Sequence, residues 1–141
     1  MTVQDRARDI AADFDFLDDW ETRYAHIIDL GRANPPLEAG ERTEETKVRG
    51  CASQVWMVID EQADGTLSIR AESDAMIVSG LIALLTSLFS TAPREEILAF
   101  DAPAFLEEIG VTGALSAQRS NGLKAMLDRI RSAAAAQSVA D

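Results

Sequence analysis

The run MIVSGLIALLTSLF, Met76 to Phe89, constrains this chain more than any other feature. It carries no charge, and only Ser79, Gly80, Thr86 and Ser87 interrupt its apolar residues. It is too short to span a bilayer, which takes about 20 apolar residues. Its hydrophobicity runs around the whole circumference of a helix instead of along one stripe, so such a helix must be enclosed by other elements. The sequence predicts a central helix from just after Ser73-Asp74 to about Ser90. Ser73 is its candidate cap, and Asp74 suits the positive end of the helix dipole.

The flanking segments supply the enclosure. Thr2 is a candidate N-cap for a helix over about Val3 to Phe14. A second helix is predicted over about Asp18 to Ala33, where Trp20, Tyr24, Ile27, Ile28 and Gly31 fall on one stripe and Asn34-Pro35-Pro36 stops the run. LEAGERTEET reads as an exposed connection. A short strand near Thr46 to Val48, a buried strand from Gln54 to Asp60 and a half-buried strand from Thr66 to Ala71 come next. Asp64-Gly65 joins the last two as a hairpin. Thr91-Ala92-Pro93 and Asp101-Ala102-Pro103 each read as the start of a short helix, and Gly110 as the residue ending the second. A final helix from about Ser120 to Ala135 places Leu123, Met126, Leu127, Ile130 and Ala134 on one face. At 141 residues this is one α+β domain over 1–141, a small antiparallel sheet of about three strands packed against helices.

A formal charge of −11 argues against nucleic acid and against an anionic membrane surface, because both require basic patches. The start, MTVQDRARDIAADFDF, has no apolar signal core, so a cytoplasmic protein is expected. Oligomeric state stays open, a homodimer included.

The only cysteine is Cys51, in KVRGCASQVWMVID. Most lone cysteines pack in cores and are inert. Here Arg49-Gly50-Cys51-Ala52-Ser53 falls between two strand signals, so the sulfur lies on a loop, with Lys47 and Arg49 close in sequence. A thiol with a pKa of about 8.5 is only about 10% ionised at pH 7.5, and one nearby cation can supply the roughly 1.4 kcal/mol that makes it half thiolate. The only histidine, His26, lies inside the second helix, which disfavours a hydrolytic Cys51–His26 dyad. One cysteine cannot build a disulfide or a cluster ligand set, and no Gly-rich phosphate loop, H-E-x-x-H helix or CxxC pair anchors a cofactor or metal.

VRGCASQVW, Val48 to Trp56, resembles the active-site signature of the SufE family of sulfur acceptors, and RSNGLKAM, Arg119 to Met126, is similar to that family's terminal-helix start. SDAMIVSGLIALL and WETRYAHIIDLG match further blocks in the same order. The resemblance implies an α+β fold shared with IscU-type scaffolds, with the cysteine on a loop and its sulfur turned into an apolar cavity at rest. It implies that Cys51 takes sulfur as a persulfide from a PLP-dependent cysteine desulfurase of the SufS or CsdA type, stimulates it, and passes the sulfur to an iron–sulfur scaffold. PLP then belongs to the partner, and this chain is a carrier with no cofactor of its own. Arg119 is implied as a loop-positioning or charge-stabilising residue, and Ser53, Gln54 and Trp56 match the signature. Arg49 and Asp74 are further candidates for support. Two other classes stay in view: a stand-alone cysteine hydrolase or thiol peroxidase, and a non-catalytic interaction domain in which Cys51 merely packs.

Overall fold

The computed structural model describes residues 2–136. The elements follow in the order α1 (Val3–Phe14), α2 (Trp20–Gly31), β1 (Val55–Glu61), β2 (Thr66–Ser73), α3 (Met76–Phe89), β3 (Ala92–Pro93), α4 (Arg94–Ala99), α5 (Ala102–Glu108) and α6 (Ala117–Ala135), with single 3-10 turns at Ala39–Glu41 and Thr112–Ala114. It is an α+β arrangement with an antiparallel sheet in the order β1-β2-β3.

The charge-free run is the central helix α3. Ile77, Val78, Gly80 to Leu85, Leu88 and Phe89 are buried, and all of these but Gly80 and Ala83 belong to one contiguous hydrophobic core. Each fully buried leucine or isoleucine there contributes roughly 1.5–3 kcal/mol of transfer free energy. α2 crosses α3 with backbone nearly touching backbone: a Cβ on Gly80 would stand 1.9 Å from the Ile27 carbonyl oxygen, and one on Gly31 2.5 Å from the Gly80 nitrogen. From α1, the Arg6 guanidinium donates to the carbonyls of Leu88 (3.2 Å) and Ser90 (2.7 Å), placing a cation at the negative end of α3. Among the described residues, no helix is long and apolar enough to cross a membrane.

β1 and β2 pair from Val55↔Ser73 to Glu61↔Leu67, and the Gln62–Gly65 turn closes the hairpin expected at Asp64-Gly65. Val55, Met57, Leu67, Ile69 and Ala71 face the core. The segment before β1 is tied to β2, since Arg70 grips Glu41 with both guanidinium nitrogens and Glu72 accepts from the Leu37 N–H at 2.8 Å and from Arg42 at 3.1 Å.

Several expectations need correction. Trp20 begins α2 at 57% exposure instead of joining the buried stripe, while Ile27 carries the contact. The strand near Thr46 to Val48 is reduced to one bridge, Lys47 to Trp56. Trp56 and Val58 are half-buried, so β1 alternates where a fully buried strand was expected. Ala92-Pro93 does not open a helix. It pairs with Thr66 and Leu67 as an edge strand, where proline's missing donor is harmless, and α4 starts at Arg94. Ser73 ends β2, and α3 begins three residues later behind Ala75 without a side-chain cap. α6 begins at Ala117, earlier than expected, because the Ser116 hydroxyl accepts from the Arg119 N–H and caps it.

Candidate functional site

Cys51 lies on the loop that joins the Lys47 bridge to β1. Val48 N–H donates to the Val55 carbonyl at 2.8 Å and closes the base of the loop. Within it, Gly50 adopts φ +91, a left-handed conformation that a side chain would strain, and this turns the chain back towards β1. The tethers on residues 49–53 are side-chain ones. Arg49 pairs with Glu44 at 2.7 Å, Ser53 Oγ accepts from Arg119 Nη1 at 2.5 Å, and Cys51 Sγ donates to the Gly122 carbonyl at 3.6 Å. The loop thus lies along the first turns of α6.

At the exit of the loop, the Gln54 N–H donates to the Asp74 carboxylate at 3.1 Å and the Asp74 N–H to the Gln54 carbonyl at 3.3 Å. Asp74 was a candidate for the first turn of the central helix; instead it clamps the β2–α3 connection to the residue that leads out of the cysteine loop. One residue further, Ala75 N–H donates to Ser73 Oγ.

The sulfur is half-buried. It faces a cleft of about 10 Å³, roughly one water in size, lined by Val78 and Leu81 of α3, by Arg119, Gly122, Leu123 and Met126 of α6, and by the loop itself. This inward position settles which way the side chain points at rest. It also bears on acidity. Lys47 and Arg49 were close enough in sequence to be able to lower the thiol pKa, but burial pushes the Cys51 thiol up from its ordinary value. Neither cation offsets that burial, and the exposed Arg49 pairs with Glu44. Burial thus disfavours the thiolate, the form that attacks and that oxidises most readily.

The structure brings Cys51, Ser53, Gln54, Arg119 and Asp74 into one cluster and leaves Arg49 on its rim. His26 is elsewhere: it stacks edge-on against Phe14 at 5.1 Å and does not line the cleft, so no imidazole base serves Cys51. Gly122 was missed as a site residue. The available signal was a glycine inside a helical pattern, in RSNGLKAM, with no cap or turn to explain it.

The family described as SufE: Fe-S metabolism associated domain matches residues 8–134. An uncharacterized SufE-like protein of Rhizobium etli is 47% identical over 134 residues, covering 93% of this chain and 90% of that one. A second uncharacterized SufE-like protein, from Rhizobium meliloti, is 44% identical over 137 residues, covering 95% and 96%. The solution structure of a hypothetical protein from Thermus thermophilus shares the fold with a TM-score of 0.75, over 92% of this chain and 93% of that one. At 21% identity that likeness speaks to fold alone. Matched across residues 8–134 and similar along nearly their whole length to these two relatives, this chain belongs to the SufE family, whose domain is associated with iron–sulfur metabolism.

Proposed function

We propose that Cys51 is a sulfur carrier: it accepts sulfane sulfur from a cysteine desulfurase of the SufS or CsdA type, stimulates that enzyme, and hands the sulfur to an iron–sulfur scaffold in the reducing cytoplasm. The observation that carries this reading is the placement of the one cysteine. It sits on a loop held mainly by side chains, with its sulfur over a cleft of atomic size.

In the transfer, the Cys51 thiolate attacks the outer sulfur of the partner's persulfide. A bond forms between Cys51 Sγ and that sulfur, the bond to the partner's cysteine breaks, and the partner's cysteine leaves as thiolate. One sulfur atom moves and no net oxidation occurs. A scaffold thiolate repeats the exchange. PLP stays on the desulfurase, where carbon–sulfur cleavage takes place.

The raised thiol pKa supports a gated version of this step. Burial is its cause, so turning the loop outward at the partner restores the ordinary acidity at the moment the nucleophile is needed. Gly50 provides the flexible point on one side and the Asp74–Gln54 contact provides the catch on the other, while Arg119, bonded to Ser53, positions the loop for transfer.

The test follows alanine formation by a purified desulfurase supplied with cysteine and a reductant. Adding this protein raises the turnover, and the Cys51→Ser variant does not. Equal stimulation by Cys51→Ser would favour the interaction-domain reading, and thiol-dependent hydrolysis or peroxide reduction without any desulfurase would favour the stand-alone enzyme.

A further inference from the structure

The glycine at position 122 has no explanation in the fold. It lies inside α6, where glycine is less stable than alanine, and its φ is not positive. Packing does not demand it either. A Cβ there would stand 3.6 Å from Cys51 Sγ, 3.9 Å from Cys51 Cβ and 4.0 Å from Cys51 Cα, all ordinary van der Waals separations. The thiol form would accept alanine, and the helix would prefer it.

What alanine would remove is room beside the sulfur. A second sulfur bonded to Sγ sits about 2.05 Å from it. Orientations of that bond pointing at α6 would drive the new atom inside contact distance of a methyl held 3.6 Å from Sγ. The remaining walls include Val78, Leu81, Arg119, Leu123 and Met126 as well as the loop, and the cleft they leave is about 10 Å³. The cleft has little spare volume from which to make up the loss.

We propose that Gly122 is a positioning residue for the stored sulfur: its missing side chain is the space into which the outer atom of a Cys51 persulfide turns, between α3 and α6. This rests on the reading of Cys51 as a sulfur carrier. It adds that the thiol and persulfide forms place different demands on residue 122, the first tolerating a methyl and the second not.

The experiment loads the full-length chain chemically, so that no desulfurase is involved. With inorganic tetrasulfide, the Cys51 thiolate takes one sulfur to give Cys51–S–S⁻ and releases trisulfide dianion, with atoms and charge conserved. Cyanide then removes the outer sulfur as thiocyanate and returns the thiolate. Thiocyanate release is timed for wild type, for Gly122→Ala, and for Gly113→Ala, whose added methyl would meet nothing within 4 Å. The proposal expects Gly122→Ala in the thiol form to melt no lower than wild type, yet to lose its sulfur several-fold faster, with Gly113→Ala unchanged. Equal rates for Gly122→Ala and wild type would overturn it, and so would a thiol form of Gly122→Ala that melts well below wild type. Equal rates would leave the carrier role standing, whereas failure of a desulfurase to load wild-type Cys51 would remove the carrier role without touching the cleft result.

Discussion

Where α2 crosses α3, a Cβ on Gly80 would stand 1.9 Å from a carbonyl oxygen; where α6 passes the cysteine loop, one on Gly122 would stand 3.6 Å from a sulfur. α3 contributes to both places, Gly80 to the first and Val78 and Leu81 to the second. At the crossing, glycine brings two backbones together and leaves no slack. At the loop, glycine leaves slack that nothing in the resting fold uses. The first is a rigid mount; on the proposed carrier role, the second is a seat for a part that moves. Such a carrier needs both, because a reactive atom must be held reproducibly and still be released.

The largest effect is expected at the mount. Gly80→Ala drives a methyl into the Ile27 main chain and should cost about 3 kcal/mol or more, seen as a fall in melting temperature of roughly 10 °C. A variant that melts like wild type would show that α2 and α3 can slide, and would erase the contrast. At the seat, Arg119→Ala removes the hydrogen bond to Ser53, a contact worth about 1 kcal/mol. Sulfur acceptance should slow roughly fivefold while the melt stays near wild type. Unchanged acceptance kinetics would strip Arg119 of its part in positioning the loop. Asp74→Ala releases Gln54 and should speed alkylation of Cys51 a few-fold, with only a small loss of stability. Slower alkylation would mean that Asp74 holds the loop open.

The contrast was half legible from sequence. The charge-free run announced α3, Asp64-Gly65 announced the hairpin, and Gly31 fell on the face of α2 that meets its neighbour, because each signal is local and periodic. What escaped depended on long-range geometry. Ala92-Pro93 pairs with residues some 26 positions earlier, Thr66↔Pro93 being an interval of 27 and Leu67↔Ala92 of 25, and no local rule reports that. Asp74 looked like part of a helix start and is a clamp across to Gln54. Lys47 and Arg49 offered a possible means of activating the thiol, but Glu44 captures Arg49, and burial by α3 and α6, distant in sequence, raises the thiol pKa.

The smallest expected effect follows from that acidity. Alkylation of the resting protein should rise with pH through a midpoint above the ordinary thiol value of about 8.5. A raised pKa means the folded state holds its proton more tightly than the unfolded one. The matching stability is present below the ordinary thiol pKa and lost as pH climbs through the raised value. Cys51→Ser should flatten that small alkaline decline, and a midpoint below about 8.5 would return the cations to the account.

The most direct measurement weighs the Cys51 peptide. Purified protein is incubated with an active cysteine desulfurase, PLP and cysteine, digested without reductant, and the peptide's mass is read. A gain of one sulfur atom, reversed by reductant and missing from Cys51→Ser, is the expected result; an unmodified Cys51 peptide beside a turning-over desulfurase would contradict it.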